Sequence, residues 1–133
     1  MNRKLDHPEY PLGENARQAV KAASGKPLAE INMQAVVESR LAAGDLHIQG
    51  ETLRQQAAIA RQSGYERLAA NLERAAELVT VADSELLKMY EALRPGRSTY
   101  TELTALAERL EYEFCAPLTA QFFRQAAEVY TQR

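Results

Sequence analysis

The sequence predicts an all-α fold, a small irregular helical domain of about five or six helices with an extended N-terminal arm. Three observations carry this. From Asn32 onward, apolar residues recur at the i, i+3, i+4 and i+7 spacing that lines one helix face. Helix stop signals break the chain at Gly44, Ser63-Gly64 and Pro95-Gly96. No window alternates cleanly with β-branched residues, so almost no strand is expected. Composition divides the chain into residues 1–31, an extended arm containing Pro and Gly with one short helix, and residues 32–133, the helical domain.

The elements follow in order. Residues 1–31 hold Pro8, Pro11 and Pro27, three of the five prolines. Each fixes φ and biases its predecessor away from helix, so His7 to Leu12 reads as an extended arm. Ala16, Ala19, Val20 and Ala23 share one face of a short helix over 14–23, and Ser24-Gly25-Lys26-Pro27 ends it. Asn32 is positioned to cap a helix over 33–43, with Val36, Val37 and Leu41 on one side and Gly44 as its stop. Asp45 to Ile48 form a connector. A helix over 51–62 carries Leu53, Ala57 and Ala60, and Ser63-Gly64 closes it. The next, over 65–80, presents Leu68, Leu72, Ala75, Ala76 and Val79, the cleanest stripe in the chain. Asp83 caps a helix over 84–93 with Leu86, Leu87, Tyr90 and Leu93 inward. After the Arg94-Pro95-Gly96-Arg97-Ser98 turn, Thr99-x-x-Glu102 forms a capping box and opens the longest element, over 100–131. Its seam runs Leu103, Leu106, Leu110, Phe114, then Leu118, Phe122, Ala126, Val129. Pro117 lacks the N–H that a continuous helix needs, so a kink or break falls near 114–117.

Composition bounds the function. Leu, Ile, Val and Phe make up 28 of 133 residues, about 21%, while alanine alone contributes 23. Large apolar side chains are thus scarce for the length, which suits either a modest domain or a subunit that completes its burial on a partner. Among the sequence's segments there is no apolar run near the roughly 18 residues of a membrane span, and no secretory h-region within residues 1–20. One cysteine, Cys115, allows no internal disulfide and no cysteine-based zinc site, so a cytoplasmic setting is expected. A net charge of −2 gives no Lys/Arg excess for phosphate neutralisation; neither nucleic acid nor membrane is an expected partner.

The search for chemistry returns little. His47 beside Asp45 reads as an ordinary surface or hinge histidine rather than a ligand pair. Cys115 follows Phe114 in an apolar seam and reads as buried and inert. Glu108, Glu111 and Glu113 read as a solvated face, with Arg109 and Glu113 paired at i, i+4. Neither G-x-G-x-x-G nor a P-loop is present. Arg94 and Arg97, beside Pro95-Gly96 and before a helix, could hold an anion; paired to a carboxylate of a neighbour, they make a stiff interhelical turn. No catalytic, cofactor-binding or metal residue emerges.

The linear pattern resembles one family throughout. Tyr10-Pro11-Leu12, Gly25-Lys26-Pro27-Leu28, Glu51-Thr52-Leu53-Arg54-x-Gln56-Ala57-x-Ile59-Ala60, Arg67-Leu68-Ala69-x-Asn71-x-Glu73-Arg74-Ala75-Ala76-Glu77-Leu78 and Tyr90-x-Ala92-Leu93-Arg94-Pro95-x-Arg97-Ser98-Thr99 follow one another as in the small (gamma) subunit of adenosylcobalamin-dependent diol and glycerol dehydratases. The resemblance implies a lyase assembled from large, medium and small subunits, two copies of each. A TIM-barrel large subunit holds the diol, and adenosylcobalamin lies between the large and medium subunits. Radical dehydration gives an aldehyde. The small subunit packs on the outside of the large one and supplies no catalytic residue, so no cofactor is expected on this chain alone. Tyr10, Pro11, Leu12, Arg94 and Arg97 are the expected partner-interface residues, and losing residues 1–12 should weaken assembly more than helicity. Only about nine residues precede Tyr10, against a long extension in some family members, so packaging into a microcompartment through this subunit is not expected. The competing reading is a free-standing helical adaptor or regulatory module.

Overall fold

The computed structural model describes residues 5–131. Seven α-helices stand among them: α1 (Leu12–Asn15), α2 (Met33–Val37), α3 (Gly50–Gln62), α4 (Glu66–Leu78), α5 (Asp83–Ala92), α6 (Tyr100–Tyr112) and α7 (Pro117–Thr131). Among the described residues there is no β-strand, only two isolated bridges, Lys21 with Pro27 and Ala22 with Ile48. The all-α expectation is met. The chain forms two compact units, Met1–Val79 and Thr80–Arg133. The compositional boundary at residue 31 lies inside the first.

In the first unit, α3 and α4 form the framework. Gly64, at φ 86°, supplies the left-handed residue that ends α3, and the Tyr65 N–H then returns to the Ala60 carbonyl at 2.9 Å. The two helices meet through small side chains. Ala57, Ala60 and Ala69 are buried together, with Leu72 packed against them. At the start of α3 the approach is closer still: a Cβ on Gly50 would stand 3.2 Å from the Ala76 carbonyl oxygen. The buried positions of α4 are Ala69 and Ala76, whereas Leu68, Ala75 and Val79 of the expected stripe are exposed. Leu72 and Ala76 of the stripe do face inward, and Ala69 joins them in place of Leu68, so the inward face lies mainly on alanines that allow close approach. Arg61 of α3 pairs with both Glu66 and Glu73 of α4.

The N-terminal segment departs from the expected extended arm. His7–Glu9 and Arg17–Ala19 are single 3-10 turns, and α1 is one turn of helix between them. The Tyr10–Pro11 peptide bond is cis. Leu5, Leu12 and Ala16 are buried against Ile59 of α3, with Ala19 and Val20 packed on the cluster. The helix expected over 14–23 is thus replaced by α1, a 3-10 turn and bridged backbone at 21–22. Three alanines and a valine give too little area to hold a continuous helix, while Leu5 and Leu12 do better by reaching Ile59. Leu5 and Leu12 thus belong to the chain's own core.

α2 begins as expected: Asn32 Oδ1 accepts the Ala35 N–H at 2.9 Å. It ends six residues early. Ser39 takes φ 57°, and the Arg40 N–H reaches the Ala35 carbonyl at 2.8 Å. The left-handed stop falls on a serine, not on Gly44. Only Ala35 of α2 is buried, so Val36 and Val37, expected inward, face solvent.

In the second unit, α5 starts at Asp83 without a side-chain cap, and Met89 rather than Leu87 or Tyr90 is its buried residue. Tyr130 Oη donates to the Leu93 carbonyl at 2.5 Å, tying the end of α7 to the C-terminus of α5. The Thr99 box opens α6 as expected: Thr99 Oγ1 accepts from the Glu102 N–H at 3.2 Å, and Glu102 Oε2 accepts from the Thr99 N–H at 3.3 Å. α6 and α7 pack as a hairpin. The break expected near Pro117 is real and spans 113–116, with Pro117 as the first residue of α7, where its missing N–H costs nothing. Cys115 takes φ 52° and is exposed, not buried. Once the chain turns at Cys115, helical phase is not carried across. The seam of α6 holds in part: Leu103 and Leu110 are fully buried, Ala107 joins them, and Leu106 and Phe114 are only half-buried. That of α7 shifts by one residue, to Thr119, Ala120, Phe123 and Ala127, leaving Leu118, Phe122 and Val129 exposed.

Candidate functional site

The residues expected at an interface fall into both units. In the first, three consecutive residues at the start of α1 differ in exposure. Leu12 is 3% exposed and belongs to the chain's own core, which removes it from the surface. Pro11 is exposed. Tyr10 is 54% exposed, and its carbonyl accepts from Asn15 Nδ2 at 2.9 Å, which fixes the backbone beneath the ring. Its ring stands on the rim of a groove of about 310 Å³, with Tyr65 and Leu68 also at the rim and Ile59, Ala60 and Leu72 deeper. Leu68 and Tyr65 are exposed for the same reason: α4 turns its alanines inward.

A second groove of about 300 Å³ lies between the 20–31 segment, the 45–49 connector and α3. Its geometry is set by a cluster the sequence reading did not find. Asp45 Oδ2 accepts from the Ala42 N–H at 2.8 Å, Oδ1 from Ser24 Oγ at 2.6 Å, and Lys26 Nζ stands 3.1 Å from Oδ2. Lys26 Nζ also donates to the Arg40 carbonyl at 2.6 Å. The Ala42 N–H, then the Ser24 hydroxyl and the Lys26 ammonium, hold the Asp45 carboxyl down at about 2. One carboxylate thereby joins the Gly25-Lys26-Pro27 turn to the connector. The signal in the sequence was an aspartate in a short Gly-bearing connector, a common site for side-chain bonds to nearby backbone. Leu46 and Ile48, on either side of His47, point outward, at 67% and 60% exposure.

In the second unit, Arg94 and Arg97 both find a partner in their own chain. Arg94 Nη1 lies 3.2 Å from Glu91 Oε2, and Arg97 Nε lies 3.4 Å from Glu91 Oε1. Glu91 thus bridges the last turn of α5 to the turn that Gly96 closes at φ 78°. Both arginines are well exposed, so each pair is held weakly. The acidic face of α6 is likewise engaged: Glu113 with Arg109 at 3.1 Å, Glu111 with Arg124 of α7, and Arg109 also over the Phe114 ring at 5.5 Å.

Among the described residues, no three His, Cys, Asp or Glu side chains gather where they could hold a metal ion. No helix among them is long and apolar enough to cross a membrane. What the surface does offer is large apolar side chains, Tyr10, Met33, Val37, Leu46, Tyr65 and Leu87 among them. Several charges thus pair within the chain while these large apolar side chains stand in solvent, the kind of surface on which proteins make contact. Comparison with known proteins agrees: a family model described as the dehydratase small subunit matches residues 5–133, and the chain belongs to that family. It is 45% identical over 125 residues to the propanediol dehydratase small subunit of Salmonella typhimurium strain LT2, covering 94% of this chain and 72% of that one. It is also 45% identical over 125 residues to the propanediol dehydratase small subunit of Citrobacter freundii, covering 94% of this chain and 73% of that one.

Proposed function

We propose that this chain is the non-catalytic small subunit of a cytoplasmic, adenosylcobalamin-dependent diol dehydratase, a lyase that converts 1,2-diols such as propanediol or glycerol to aldehydes. It packs on the outside of a TIM-barrel large subunit, in an assembly with a medium subunit and two copies of each chain. The observation that carries the reading is the 45% identity to propanediol dehydratase small subunits over 94% of the chain. The exposed apolar side chains support it, since a partner is what would cover them. Adenosylcobalamin supplies such enzymes with the radical that starts dehydration. The two grooves described above, each about 300 Å³, are too small for a corrin macrocycle and do not fit it. What supports placing the cofactor on the other subunits is the family resemblance, in which it lies between the large and medium chains.

Its own residues would act by binding. Tyr10 and Pro11 present an exposed edge whose backbone Asn15 holds, and the weak Glu91 pairs leave Arg94 and Arg97 able to exchange partners for a carboxylate across the interface. Co-expression with candidate large and medium subunits tests this. The chain should co-purify in a stable complex that turns 1,2-propanediol into propionaldehyde when adenosylcobalamin is added, and the complex should lose stability when the chain is omitted. A chain that elutes alone from that co-expression, with the other two subunits fully active and stable without it, would overturn the reading.

A further inference from the structure

We draw no further inference here: the strongest candidate, the apolar groove of about 310 Å³ in the first unit rimmed by Tyr10, Tyr65 and Leu68, belongs to the surface already proposed for subunit contact, and nothing in the structure shows what covers it.

Discussion

Leu12 and Tyr10 are two residues apart, yet the structure gives them opposite tasks, and a pair of alanine variants separates them. Leu12→Ala removes three carbon groups from a side chain that is 3% exposed and packed with Leu5, Ala16 and Ile59. At about 0.8 kcal/mol per methylene, lost transfer alone is roughly 2.4 kcal/mol. A cavity adds to this, but α1 is a single turn that can settle inward, so the total should stay near the low end of the usual range, about 3 kcal/mol. For a chain of this size that is a fall in melting temperature on the order of 12 °C. Tyr10→Ala removes a ring that is more than half in water and should cost the isolated chain about 1 kcal/mol or less. The assay is thermal unfolding of each purified variant followed by circular dichroism, then the same variants in the assembled complex. In the complex the order of effects should change: Tyr10→Ala should weaken assembly although the isolated chain barely notices it. If Leu12→Ala melts within about 2 °C of the parent, or if the two variants are equally destabilised alone, the division between core and surface is wrong.

Four other outcomes follow from the same geometry. Asp45→Asn should destabilise the chain at neutral pH; because the Asp45 carboxyl is depressed from 3.8 to about 2, its contribution is complete above the unfolded value and lost as pH falls toward 2, so urea melts of parent and variant should converge in that window and not above it. Cys115→Gly relieves a side chain held at φ 52° and should raise stability by about 1 kcal/mol, while the parent thiol, being exposed, should react fully with a thiol reagent without denaturant; a protected thiol would contradict the turn. Thr99→Ala removes half of the capping box and should cost about 1 kcal/mol in a denaturant melt, with Thr99→Ser recovering most of it. Arg94→Ala and Arg97→Ala should each change the isolated chain by less than about 0.5 kcal/mol, since both pairs are exposed, and should loosen the complex; unchanged complex stability in both would remove them from the interface.

Where the sequence was legible, the signal was local. The boundaries of α3, α4 and α6 follow from Gly64, from the 3.6-residue pattern and from Thr99 with Glu102, all of which act within a turn or two of chain. The errors share a different cause. Ser39 and Cys115 adopt left-handed backbone that serine and cysteine seldom choose, so nothing in their identity announced the end of α2 or the loss of phase before α7. Leu12 is buried because Ile59 waits 47 positions away, and proline patterning cannot report that. Asp45 had partners 19 and 21 residues back, at Lys26 and Ser24, again beyond the reach of spacing. The family resemblance identified the chain's class from its ordered blocks, while the sorting of Tyr10, Pro11 and Leu12 between surface and core needed the fold.

Among the described residues, eleven of the nineteen buried apolar positions are alanines, and this sets a direction on permissible change. In a leucine-rich core, truncation is the common injury and leaves a void. Here truncation has little left to remove, and enlargement is the dangerous step: a leucine at Ala69 or Ala107 has nowhere to go without prising neighbouring helices apart. At these eleven positions a substitution scan should therefore tolerate small residues and reject large ones, whereas truncation at Leu12, Leu103 or Leu110 remains costly. Sequence drift in such a chain is steered to its outward faces, where Tyr10, Leu46 and Leu87 can change with whatever they meet, while the helix spacing beneath them stays fixed by the smallest side chains it contains.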